Sequence, residues 1–253
     1  MNYRWAAYIF LVLMGSIFLG CQEDRSHKLT IAAAANTQFA ISEIIEGFSR
    51  KTGVECDLVL SSSGKLNAQI KEGAPYDIFI SADMYYPQDI YEAGLAIAPP
   101  VKYAKGALVL WSADRELQPS VEVLKAESVQ HIALANPKTA PYGKASMQFL
   151  ESVEVLEDIQ SKLVYGEGVN QTNQYIISES VQFGITSKSV VLSEKMRDRG
   201  QWIELDQREY DPIEQGMVIL KNGKESLSHQ FGEYLLSKHA QSILSKYGYK
   251  API

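Results

Sequence analysis

Residues 29–60 read LTIAAAANTQFAISEIIEGFSRKTGVECDLVL. Leu29 to Ala34 is a continuous apolar run of strand length. Ile41, Ile44, Ile45 and Phe48 then fall on one face of a helix spanning about Ile41 to Arg50. Gly53 is a helix stop, and Val54 to Leu60 alternates like a second strand. A strand, a helix and a strand in that order favour a parallel sheet and an α/β fold.

The pattern continues outward from there. Ser61, Ser62 and Ser63 follow the second strand, Leu66 to Glu72 reads as a helix, and Asp77 to Ser81 as a short strand. A further strand is expected at Ala107 to Trp111. The second part restarts at His131 to Ala135. Pro141-Tyr142-Gly143 opens a helix to about Ser152, and Leu163 to Tyr165 and Phe183 to Thr186 read as strands. Met217 to Leu220 looks like a strand, and Leu227 to Tyr247 is mostly helical. No internal repeat stands out.

The chain has 253 residues, enough for one large or two modest domains. Its first twenty residues carry one charge, Arg4, followed by an apolar run from Trp5 to Gly20. That run is shorter than the roughly 20 residues of a spanning helix and reads as an export signal. Phe18-Leu19-Gly20-Cys21 resembles a lipobox, where bacterial lipoproteins are cleaved and acquire lipid on the cysteine. Residues 1–20 are then a signal peptide, Cys21 is lipidated, and residues 21–28 form a polar tether. The alternatives are a plain signal or an uncleaved anchor. Cys56 is left without a partner, and a small buried thiol is expected there.

The net charge is −6. Removing residues 1–20 takes away one arginine and no acid, giving −7. Nucleic acid or a polyanionic surface is therefore a poor partner. A small anion is not excluded, because backbone and hydroxyl donors hold one locally.

Chemistry concentrates at the strand-to-helix junctions. Asn36-Thr37, Ser61 to Ser63, Pro141 to Gly143 and Gly166 to Asn170 are small or polar and carry no arginine. In open α/β sheets ligands bind beyond the carboxyl ends of the strands, where helix starts present unpaired N–H groups. Any one of these junctions taken alone is an ordinary helix cap. Lys65 and Lys144 lie nearby and read as solvated helix residues.

Larger blocks supply a resemblance. LTIAAAANTQFAISEIIEGFSRKTG, SSSGKLNAQIKEGAPYDIFISAD (Ser61 to Asp83), LANPKTAPYGKASMQFL and ILSKYGY (Ile243 to Tyr249) resemble the molybdate-binding proteins of ABC importers, in the type II periplasmic binding-protein superfamily. The similarity covers essentially the whole chain from residue 29. It implies two α/β lobes joined by a two-segment hinge, with the ligand cleft between them. Lobe 1 would be 29–104 and 206–253, and lobe 2 would be 105–205.

The resemblance also implies roles. Asn36 stands where many members have serine and a branch has asparagine, with neighbouring backbone N–H groups. Thr37 adds a donor. Ser63 matches the ligand serine of the second junction, Tyr142 a position met mainly through backbone N–H, and Val169 another N–H. Ser187 occupies the place of a ligand tyrosine in the best-known branch, so Tyr142, Ser187 or a neighbour has to replace that contact. No cofactor is expected. The ligand would be molybdate or tungstate, and the partner an ABC permease. The protein would be a monomer in the periplasm or cell envelope, held to the membrane through the lipid on Cys21.

Other readings are a receptor or sensor for a different small anion, and a serine hydrolase using Ser61 to Ser63. The hydrolase needs a base, and His27, His131, His229 and His239 are scattered without a motif. Tyr234, Tyr247 and Tyr249 either pack in lobe 1 or face a partner.

Overall fold

A computed structural model describes residues 28–252. The expected signal peptide (1–20), the lipidation site Cys21 and most of the tether lie outside the described residues, as does His27.

The decisive stretch folds as its pattern dictates. Strand β1 (Lys28–Ala34) runs into one 3-10 turn (Ala35–Thr37) and helix α1 (Gln38–Thr52). The helix buries Ala40, Ile41, Ile44 and Phe48 and stops at Gly53. There φ is +75°, a left-handed conformation that glycine adopts without strain, and the glycine N–H closes on Ser49 O. Strand β2 (Glu55–Ser61) then lies parallel to β1, in register from Lys28 opposite Glu55 to Ala34 opposite Ser61.

Helix α2 (Ser63–Lys71), strand β3 (Ile78–Ile80), helix α3 (Tyr85–Glu92) and strand β4 (Val101–Gly106) follow. The chain then builds β5 (Leu108–Ser112), β6 (Ile132–Ala135), α4 (Pro141–Ser152), α5 (Leu156–Ile159), β7 (Leu163–Gly166), α6 (Val169–Ile177), β8 (Phe183–Ser187), α7 (Lys188–Val191) and β9 (Gln201–Glu204). It ends with β10 (Ile213–Ile219), α8 (Glu225–Leu236) and α9 (Lys238–Lys246).

The strands form two five-stranded sheets, ordered β2-β1-β3-β10-β4 and β7-β6-β8-β5-β9. Each defines a lobe with its own core. One core gathers Leu29, Ile31, Ile44, Phe48 and Phe231, and the other Leu110, Trp111, Leu134, Phe149 and Phe183. The chain passes between the sheets twice, from β4 to β5 and from β9 back to β10.

Several local expectations are corrected. The strand expected from Met217 begins at Ile213, and β4 and β9 complete the two sheets at their edges. The helix expected over 227–247 is two, broken at Ser237, whose hydroxyl caps α9 by accepting the Ala240 N–H at 3.3 Å. Tyr234, Tyr247 and Tyr249 are buried in the first core. Cys56 is free and half-buried, and burial pushes its thiol up to about 11.

Candidate functional site

Four junctions leave the carboxyl ends of parallel strands: the 35–37 turn after β1, α2 after β2, α4 after β6 and α6 after β7. The structure brings them together across the lobes. The 35–37 turn packs against α6. The Gly64 N–H donates to Thr139 O at 2.9 Å. A Cβ added to Gly168 would stand 3.3 Å from the Ser62 Cβ, so the two helix starts approach closely because one of them has no side chain. Gly143 meets the same demand within lobe 2, where a Cβ would lie 2.2 Å from Ala135 O.

Lobe 1 supplies side chains. Ser63, the first residue of α2, is buried, and its Oγ accepts the Ala82 N–H at 3.0 Å. A hydroxyl that accepts one bond keeps its own proton to donate. Thr37 spends its hydroxyl locally, donating to Ala34 O at 2.7 Å.

Asn36 is 1% exposed. Its Nδ2 donates to Gln215 Oε1 at 3.0 Å and to Tyr249 OH at 2.9 Å. Tyr249 OH donates back to Asn36 O at 2.8 Å, and Ser189 Oγ donates to the same carbonyl at 2.6 Å. Both amide hydrogens therefore have acceptors inside the protein, and the side chain fixes the turn that carries it.

Lobe 2 supplies helix starts. Val169 is the first residue of α6, after the extended Gly168. Tyr142 is the second residue of α4, behind Pro141, which occupies a position where a missing N–H costs nothing. An α-helix leaves the N–H groups of such residues without an internal acceptor. The Tyr142 side chain turns inward, and its OH accepts from Gln215 Nε2 at 3.2 Å. Ser187, at the end of β8, is buried with its Oγ 2.8 Å from Ser189 Oγ.

Gln215, on β10, ties these groups together. It is fully buried, and its Oε1 also accepts from Tyr103 OH at 2.9 Å. Burial pushes the phenols of Tyr103, Tyr142 and Tyr249 upward, so each stays protonated and the network is neutral. Sequence reasoning missed Gln215, Tyr103 and Ser189. The signal for Gln215 was present: it shares the inward face of β10 with Ile213 and Met217.

Lys144 is exposed, as expected. Lys65 is not simply solvated, because its Nζ lies 2.6 Å from Glu167 Oε2 on the other lobe. Among the described residues no cluster of three His, Cys, Asp or Glu side chains could hold a metal ion. No described helix is long and apolar enough to cross a membrane.

Two α/β lobes joined twice, with helix starts from both meeting at one cleft, are the build of a solute-binding protein. Residues 29–250 match the family described as bacterial extracellular solute-binding protein, and the chain belongs to that family, among its molybdate-binding members. It is 34% identical over 225 residues to the molybdate-binding protein ModA of Rhodobacter capsulatus, covering 88% of both chains. To ModA of Azotobacter vinelandii it is 32% identical over 242 residues, covering 94% of this chain and 96% of that one. The solved Azotobacter vinelandii periplasmic molybdate-binding protein superposes with a TM-score of 0.85 at 30% identity, over 89% of this chain and 100% of its own.

Proposed function

We propose that the protein captures molybdate, and tungstate alongside it, between its lobes and delivers the ion to the membrane permease of an ABC importer. The convergence of four strand-to-helix junctions from two lobes, carrying neutral donors, carries this reading. A dianion taken out of water needs nearly all its lone pairs satisfied. Neutral donors supply this without the added cost of burying an ammonium or guanidinium. Lys65, two residues past Ser63, is paired with Glu167. The named relatives, molybdate-binding proteins similar over most of the chain, support the same ion.

In this reading the oxyanion is met by Ser63 Oγ, by the backbone N–H groups of Asn36, Tyr142 and Val169, and by Thr37 and Ser187 as neighbours that shape the wall. Lobe 1 is 29–104 and 206–253, lobe 2 is 105–205, and closure swings one on the other at the two crossings. The protein works outside the cytoplasm as a monomer, anchored by lipid on Cys21. It binds and releases without turnover. In support, Ser63 Oγ is engaged by a backbone N–H, His229 lies beside Glu225, and His239 rests on Tyr234.

Calorimetric titration of the domain from Gln22 onward with molybdate, tungstate, sulfate and phosphate tests this. One-to-one binding of the first two, with sulfate and phosphate silent, is expected. Silence from molybdate and tungstate with a response to another anion would move the assignment to that anion.

A further inference from the structure

Lys65 and Glu167 face each other from opposite lobes, on the third residue of α2 and just ahead of α6. Their contact is not isolated. Beside it the Gly64 N–H donates to Thr139 O, and Tyr86 OH donates to Lys138 O at 3.4 Å. The Glu167 N–H donates to Gln171 Oε1 at 2.8 Å, which steadies the loop bearing the carboxylate.

The pair borders a cavity of ≈ 260 Å³ between the lobes, lined also by Ala35, Ser61, Ser62, Gly168 and Asn170. Ser62 Oγ is buried there, with no hydrogen-bond partner among the described residues. Among the described residues lining this cavity, Lys65 is the one cation. It stands at the mouth of the cleft in a chain of net charge −6, which repels a dianion at long range.

The ammonium does not behave as a ligand here, because Glu167 neutralises it while the lobes touch. Were the lobes to part, as the closure proposed above implies, the contact would break and the lysine charge would face the open cleft. Both side chains keep solvent contact, 41% and 71% exposed, so the pair is weak enough to make and break in each cycle.

We propose that Lys65 and Glu167 form a charge gate on the cleft. With the lobes apart, Lys65 draws the dianion in. With the lobes together, Glu167 takes the lysine over and latches the closed state, leaving the ion to neutral donors. The steering half of this rests on the oxyanion reading above, whereas the latch half does not.

The test has two arms, run on wild type, on the single variants Lys65→Gln and Glu167→Gln, and on the double variant carrying both. In stopped-flow binding with molybdate at low ionic strength, Lys65→Gln is expected to slow association about two- to fivefold, an effect that added salt erases. Glu167→Gln should not slow it. Both variants should speed dissociation by about two- to fivefold, the range of an exposed ion pair. The double variant should dissociate no faster than either single one, since one contact is lost in all three.

In the second arm, paired fluorescent labels on the two lobes report their separation without ligand. Both variants should raise the open population relative to wild type. Unchanged dissociation together with unchanged lobe separation would overturn the latch. Unchanged association in Lys65→Gln would overturn the steering. If wild type bound no oxyanion but the variants still opened in the label experiment, the latch would stand and the oxyanion reading would fall.

Discussion

The two lobes share one strand order and differ in what they bring to the cleft. Counted from the edge, β2-β1-β3-β10-β4 and β7-β6-β8-β5-β9 match strand for strand, with parallel pairs at one end and antiparallel pairs at the other. In lobe 1 the junction residues are held through their own side chains: Asn36 Nδ2 donates to Gln215 and Tyr249, and Ser63 Oγ accepts the Ala82 N–H. In lobe 2 the junctions are shaped by Pro141, Gly143 and Gly168, which fix where backbone N–H groups point. One architecture thus presents donors in two ways. Lobe 1 should be sensitive to side-chain identity and lobe 2 to the backbone.

Asn36→Asp is the hardest blow to that comparison. The carboxylate sets an acceptor against Gln215 Oε1 where an N–H donated, and it adds a charge beside the dianion. Like charges brought together cost several kcal/mol, so molybdate affinity should fall by more than about a hundredfold in calorimetry. Normal binding would mean that the turn only caps α1.

Ser63→Ala and Val169→Pro form a matched pair. The first deletes a side-chain donor from lobe 1. The second deletes one N–H from lobe 2 at a helix position that accepts proline, after an extended Gly168 that suits it. Each should weaken binding roughly ten- to a hundredfold, from about 1.5–3 kcal/mol for a hydrogen bond to a charged acceptor. Loss in Ser63→Ala with none in Val169→Pro would leave lobe 2 as a lid without donors.

How legible this was depended on sequence distance. β1, α1 and β2 were readable because their periodicity is local and their stop, Gly53, is adjacent. The edge strands β4 and β9 were not, since Lys102 and Lys105 in one and the short QWIE in the other mask the alternation. The junction residues came from helix-start chemistry and from the resemblance. Gln215 escaped because its partners, Asn36 and Tyr142, lie 179 and 73 residues away. Two lobes were expected from the resemblance, but the strand order they share was invisible. The strand equivalent to β10 in lobe 2 is β5, which comes first in its lobe where β10 comes last, so a search at fixed period finds no repeat.

The smallest binding effect is expected of Val169→Ala, and it is the sharpest test of a backbone role. The Val169 side chain is 5% exposed and belongs to the lobe 2 core. Truncation removes two methyl groups and should cost about 1.5–3 kcal/mol of stability, lowering the melting temperature. The N–H that leads α6 is untouched, so molybdate affinity should stay within about twofold. Stability and affinity then move independently, as a backbone donor on a robust helix requires. If affinity instead fell in step with stability, the packing of α6 would set the donor position. Side chains would then govern lobe 2 as they govern lobe 1, and the contrast between the lobes would be one of degree.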